Sequence, residues 1–138
     1  MDELEIRDKL DSYRINAKKL HTLRELQKSN EKHLEENKDV LNADQIEQIQ
    51  DYSQMISELA WHTADARQEV IAMIETLSDY PEHAEEQNVL YLRYIVDKNT
   101  FQIADELFYG RRTVSRKLKT GIEFLCKILS KNEKKDID

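Results

Sequence analysis

The sequence predicts an all-α protein: a long N-terminal antiparallel helical hairpin, then a C-terminal three-helix unit carrying a helix-turn-helix. Three observations predict it. The 138 residues include only two Gly and one Pro, with 36% charged and 39% hydrophobic residues. That composition suits amphipathic helices and starves a turn-rich β protein. Residues 49–80 repeat at a seven-residue period, the spacing of helix packed on helix. Residues 100–129 form a short and a longer helical stripe, interrupted at Phe108-Tyr109-Gly110.

Taken in order, residues 3–28 read as the first helix. Ile6, Leu10, Tyr13, Ala17 and Leu20 follow one another at alternating steps of four and three, which makes a seam for another helix. Leu23 and Leu26 step off that register, so the stripe is expected to drift around the helix after Leu20. A polar stretch from Ser29 to about Asn42 follows, part of which can continue the helix, with a turn expected within Asn37–Ala43. Asp44-Gln-Ile-Glu47 then has the pattern of a capping box, in which Asp44 accepts from a backbone amide and Glu47 reaches back.

The second helix is expected over 44–79, roughly 54 Å at 1.5 Å per residue. Ile49, Ile56, Thr63, Val70 and Leu77 repeat every seven residues, with Tyr52, Leu59, Ala66, Met73 and Tyr80 three places after each. A helix of that length is not stable on one exposed seam. It must pair with the first helix, with a second copy, or with both. Thr63 and Ala66 make the middle of the seam weak. Trp61 falls opposite the seam, as an exposed ring or as a second surface for dimerisation or for docking the C-terminal unit.

Pro81 ends the long helix and suits the first turn of the next. The third helix is expected over 82–96, with Glu82, Glu85 and Glu86 at its positive end and Val89, Leu92, Ile95 and Val96 facing inward. Asp97-Lys-Asn99 connects it to the next element. Thr100 is the expected N-cap of a short helix bearing Ile103, Ala104 and Leu107. Gly110 supplies the permissive backbone of the turn. Val114, Leu118, Ile122, Leu125 and Leu129 form the stripe of the last helix, and the polar tail after Leu129 is expected to fray. The division expected is 1–80 hairpin, 81–130 helix-turn-helix domain and 131–138 flexible tail.

The outward face of the last helix opens with Arg111, Arg112, Thr113, Ser115 and Arg116. A basic, polar front backed by a buried stripe is the layout of a DNA-recognition helix. The runs Leu92-Arg-Tyr-Ile, Thr100-Phe-Gln-Ile-Ala-Asp-Glu-Leu and Tyr109-Gly-Arg-Arg-Thr-Val-Ser-Arg resemble DNA-binding region four of bacterial sigma factors. More closely, they resemble small phage and prophage transcriptional regulators of the ArpU and RinA type, over about the last fifty residues. The resemblance implies a regulator that assists RNA polymerase, an activator of late phage genes. One departure is Gly110, where that family usually has Ser; Gly still caps a helix, but a side-chain phosphate contact is lost.

Charge distribution agrees with one DNA-facing end. The net charge is −7, yet residues 1–88 hold 10 Lys/Arg against 21 Asp/Glu, whereas residues 89–138 hold 11 against 7. The expected DNA-binding set is Thr100, Tyr109, Arg111, Arg112, Thr113, Ser115, Arg116, Lys117 and Lys119. Arg111, Arg112 and Arg116 are assigned to guanine edges, and Lys117, Lys119 and Thr100 to the backbone. The expected partners are double-stranded DNA, RNA polymerase and a second copy bound through the hairpin.

Enzymatic readings find little. His21, His33, His62 and His83 are scattered without a metal-ligand spacing, so no metal and no cofactor is expected. Glu82-His-Ala-Glu85-Glu86 reads better as helix-dipole carboxylates than as a magnesium site. Cys126 lies beside the apolar stripe, a reduced packing residue. The acidic N-terminus and the lack of a long apolar run point to a cytoplasmic protein, without membrane contact. Two other readings stay open: a small terminase subunit or other DNA-packaging protein, and a helical protein–protein adaptor. A terminase subunit normally carries its DNA-binding motif first, and here the motif comes last.

Overall fold

The computed structural model describes residues 1–37 and 41–137, and side chains through 132. The chain is all-α. Helix α1 spans Glu3–Glu36, α2 Ala43–Glu75, α3 Ala84–Tyr94, α4 Thr100–Leu107 and α5 Arg111–Ile137; two short 3-10 turns, Thr76–Asp79 and Pro81–His83, join α2 to α3. Residues 1–14 with 66–138 form one compact unit, and residues 15–65 form a second.

Local chemistry sets the helix ends. Asp2 accepts from the amide of Glu5 at 2.8 Å and opens α1. The first part of the polar stretch continues that helix through Glu36, because Ser29–Glu36 contains neither Gly nor Pro and its polar residues tolerate a solvated helix. The capping box of α2 sits two residues earlier than expected. Asn42 Oδ1 accepts from Gln45 N at 2.9 Å, and Gln45 Oε1 accepts from Asn42 N at 3.0 Å; Asp44 and Glu47 lie inside the helix. Residues 38–40, in the middle of the expected turn, lie outside the described residues. Pro81 marks the break before α3, which begins at Ala84.

In the unit of residues 15–65, the two helix segments pair antiparallel, Gln27 with Ser53 and Leu34 beside Ile49 and Tyr52. After Leu20 the seam steps off register at half-buried Leu23, as expected, but not at Leu26, which is exposed; it returns to register at half-buried Gln27, which donates from Nε2 to Ser53 Oγ at 2.9 Å. A polar residue holds the register there because its amide finds a partner across the seam. On α2, Ile56 and Thr63 are buried, with Ile49, Tyr52 and Leu59 half-buried. The Thr63 hydroxyl donates to the Leu59 carbonyl at 2.7 Å, so no polar atom of it goes unpaired.

In the other unit, α3, α4 and α5 close around Val89, Ile103, Ala104 and Val114, with Leu92, Leu107, Tyr109 and Leu118 against them. Ile6, Leu10, Val70, Ile74, Leu77, Leu90, Ile122 and Leu125 complete its fully buried set. On α3, Val89, Leu90 and Tyr94 are buried and Leu92 packs half-buried against the core as expected; Ile95 is half-buried and Val96 exposed, because α3 ends at Tyr94 and the chain turns away. Gly121 lets α5 approach α3: a Cβ there would come within 2.9 Å of Leu90 Cδ1. The expected polar tail continues α5 through Ile137, again without Gly or Pro to stop it. Among the described residues, no helix is long and apolar enough to cross a membrane.

Candidate nucleic-acid interface

Asn99, not Thr100, caps α4. Its side chain accepts from Gln102 N at 2.9 Å, and Gln102 Oε1 accepts from the Asn99 amide at 2.9 Å. Thr100 is the first residue of the helix and is half-buried. Asn outcompetes the neighbouring Thr because Gln102 stands three residues on and completes the reciprocal box.

The turn is also built differently from the expectation. Gly110 has no positive φ; Phe108 takes the left-handed conformation instead, at φ 58° and ψ 38°. The amides of Phe108 and Tyr109 both donate to the Ala104 carbonyl, which closes α4. Gly110 then stands one residue ahead of α5 and accepts from Val114 N at 3.2 Å. Tyr109 is half-buried against the core of the unit, so it fastens the turn.

Helix α5 begins with no acidic residue in its first turn. Val114 is fully buried behind it, while Arg111, Arg112, Ser115, Arg116 and Lys119 are exposed and Thr113 is half-buried. Residues 112, 115, 116 and 119 share one face at the i, i+3, i+4, i+7 spacing. Cationic side chains around the positive end of a helix make that face strongly electropositive.

Besides Tyr109, which packs on the core with Lys117 over its ring, two more members of the expected set are already engaged. Lys117 Nζ lies 2.5 Å from Glu85 Oε2 on α3. That hydrogen bond raises the Lys117 pKa above its ordinary value and lowers that of Glu85. The charge of Lys117 therefore serves the α3–α5 contact. Arg111 stacks its guanidinium over the Phe101 ring, 4.3 Å from the centroid, a cation–π contact that fixes the plane of the group.

Sequence reasoning missed Phe101 and Phe108. Phe101 is 62% exposed and Phe108 94% exposed; both border an open groove of about 540 Å³ shared with Asp105 and Arg111. The available signal was that neither Phe falls on the Ile103–Ala104–Leu107 stripe. A bulky side chain in the left-handed region is strained, and at 94% exposure its burial offsets none of that strain. Among the described residues, no cluster of three or more His, Cys, Asp or Glu side chains could hold a metal ion.

Comparison with protein-family models, with curated proteins and with solved structures gives no significant match to this chain.

Proposed function

We propose that the chain is a sequence-specific DNA-binding transcriptional regulator of the phage or prophage type, reading the major groove with the first turns of α5. The observation that carries this reading is the division of α5 into two faces. Val114, Ile122 and Leu125 are buried on one, and Arg112, Ser115, Arg116 and Lys119 are exposed on the other. A helix start held from behind, with guanidinium forks in front, matches what guanine O6/N7 recognition requires. The regulator class rests on the likeness of residues 100–116 to sigma-factor region four. Arg112 and Arg116 are the base-reading candidates. Arg111, oriented by Phe101, and Lys119 suit phosphates, and Lys117 leaves the DNA-contact set.

The test is selection of bound fragments from random duplex DNA, followed by affinity measurements on the enriched site. A defined motif should emerge, with Arg112→Ala and Arg116→Ala each weakening that site by about 1–3 kcal/mol. Affinity should fall steeply with salt, at a log–log slope of about −5 if five or six phosphates are neutralised. Equal binding to selected and random duplex, unchanged in the arginine variants, would refute the reading.

A further inference from the structure

The exposed cations at the start of α5 are not all held alike. Among the described residues, Arg112, Arg116 and Lys119 make no ion pair or ring contact. Arg111 instead lies over the Phe101 ring, 4.3 Å from its centroid. A ring and a carboxylate hold a cation with different consequences. Glu85 holds Lys117 by neutralising it. A ring face holds a guanidinium flat and leaves both its charge and its in-plane N–H donors open to a ligand.

The ring itself stands on a fixed base. Phe101 is the second residue of α4, between the two partners of the Asn99–Gln102 capping box. Ile103 and Ala104 anchor the same turn in the core. Yet the Phe101 ring is 62% exposed, so burial of apolar surface accounts for little of its presence there. Its one specific contact is with Arg111.

We infer that Phe101 is a positioning residue: it presets the Arg111 guanidinium as an anchor for a backbone phosphate, and thereby fixes the register at which Arg112 and Arg116 meet the bases. The inference rests on the DNA reading and deepens it. Phosphate contacts carry no sequence themselves, but they set the register and orientation of a protein on the duplex. An unheld arginine loses rotamer freedom when it makes such a contact, whereas a stacked one has lost much of it already. Arg111 opens α5, one residue before Arg112 and five before Arg116, so an error in its placement passes to both. Phe101 thus determines specificity without touching a base.

The experiment measures affinity of the full chain for the duplex enriched by selection and for random duplex, each over a series of salt concentrations. Phe101→Leu keeps apolar bulk and removes the ring face. It should weaken the enriched duplex about fivefold to tenfold, and random duplex less, since no register is set there. Its salt dependence should match the parent, because Arg111 keeps its charge. Arg111→Ala should weaken both duplexes and make the log–log salt slope shallower by about one. The double variant should bind no worse than Arg111→Ala alone, and Phe101→Tyr, which retains the ring face, should recover what Phe101→Leu loses. Losses that add in the double variant mean that the ring meets DNA itself, and overturn the inference. It is overturned equally by a Tyr variant as weak as the Leu variant, or by a Leu variant that discriminates between the duplexes as well as the parent. A chain with no preference for any duplex removes the DNA reading and this inference together; selective binding untouched by Phe101→Leu removes this inference alone.

Discussion

The two compact units are both made of helices, yet they are sealed to different degrees. In the unit that contains α3, α4 and α5, eleven large side chains are essentially fully buried, among them Leu90, Ile103, Val114, Ile122 and Leu125. Between residues 15 and 65, only Leu20, Ile56 and Thr63 are buried among the described residues. A two-helix contact has one seam and no third element to cover it, so water reaches the flanks of every inward side chain. The other unit packs α3, α4 and α5 together with residues 1–14 and 66–83, and these elements enclose a volume. One unit thus resists local opening and can hold side chains in fixed positions, whereas the other is a rod whose exposed faces remain available for contact.

The largest test of that contrast is a pair of truncations. Leu125→Ala empties a sealed site that cannot collapse, and should cost about 3–5 kcal/mol. Ile56→Ala opens onto a flank that water and neighbouring side chains can fill, and should cost about 2 kcal/mol, the low end of the same range. Urea melts of both variants decide the matter. Equal losses would mean that the hairpin segment is as tightly sealed as the three-helix core.

Gly121→Ala sharpens the comparison at the α3–α5 crossing. The added methyl would sit 2.9 Å from Leu90 Cδ1 and 3.3 Å from Leu90 Cγ. Leu90 is fully buried and has little freedom to move. The expected cost is about 1–3 kcal/mol from overpacking, although Ala is the better helix former. An Ala variant as stable as the parent would mean that the two helices are free to part. Gly110→Ala separates crowding from capping: a Cβ there meets only Thr113 Oγ1, at 4.0 Å, so any loss reflects the weaker cap that Ala makes at the start of α5.

How much of this was legible beforehand follows from which signals are periodic. The α2 heptads could be read because burial repeats with the helix, and every assigned position from Ile49 to Tyr80 is buried or half-buried. The stripe of α5 was legible for the same reason. Caps and turns were less so, because they depend on which of several adjacent polar residues wins a local competition. Asn42 wins over Asp44 and Asn99 over Thr100, each through a Gln three residues on. The left-handed residue was misplaced because Gly110 is the conformationally free choice, yet the hydrogen bonds to the Ala104 carbonyl require that backbone at Phe108. The engagement of Lys117 by Glu85, 32 residues away in sequence, has no local signature at all.

The turn offers two opposed changes of similar size. Asn99→Ala removes the capping box of α4 and should lower stability by about 1 kcal/mol. Phe108→Gly replaces a strained left-handed residue that buries almost nothing, and should raise stability by up to about 1 kcal/mol. Thermal melts of the two variants should move in opposite directions. A Phe108→Gly variant that melts lower would show that the ring packs in solution more than its 94% exposure implies.

The smallest expected effect belongs to the Glu85–Lys117 pair. Its hydrogen bond lowers the Glu85 pKa from 4.5 and raises that of Lys117 from 10.5. A carboxylate whose pKa is depressed by folding contributes stability above its unfolded value and loses it as pH falls through the folded one. A lysine whose pKa is raised contributes fully below its unfolded value and loses that contribution as pH rises through the folded one. The pair therefore supports the α3–α5 contact across a plateau spanning neutral pH, and fades at both ends. Glu85 is well exposed, 62% by side chain, so solvent and salt screen much of the attraction. Lys117→Gln should lower the urea midpoint slightly at neutral pH, and the difference from the parent should vanish near about pH 3. A gap that persists at acid pH would mean that the stem of Lys117, through its packing rather than its charge, is what joins α5 to α3.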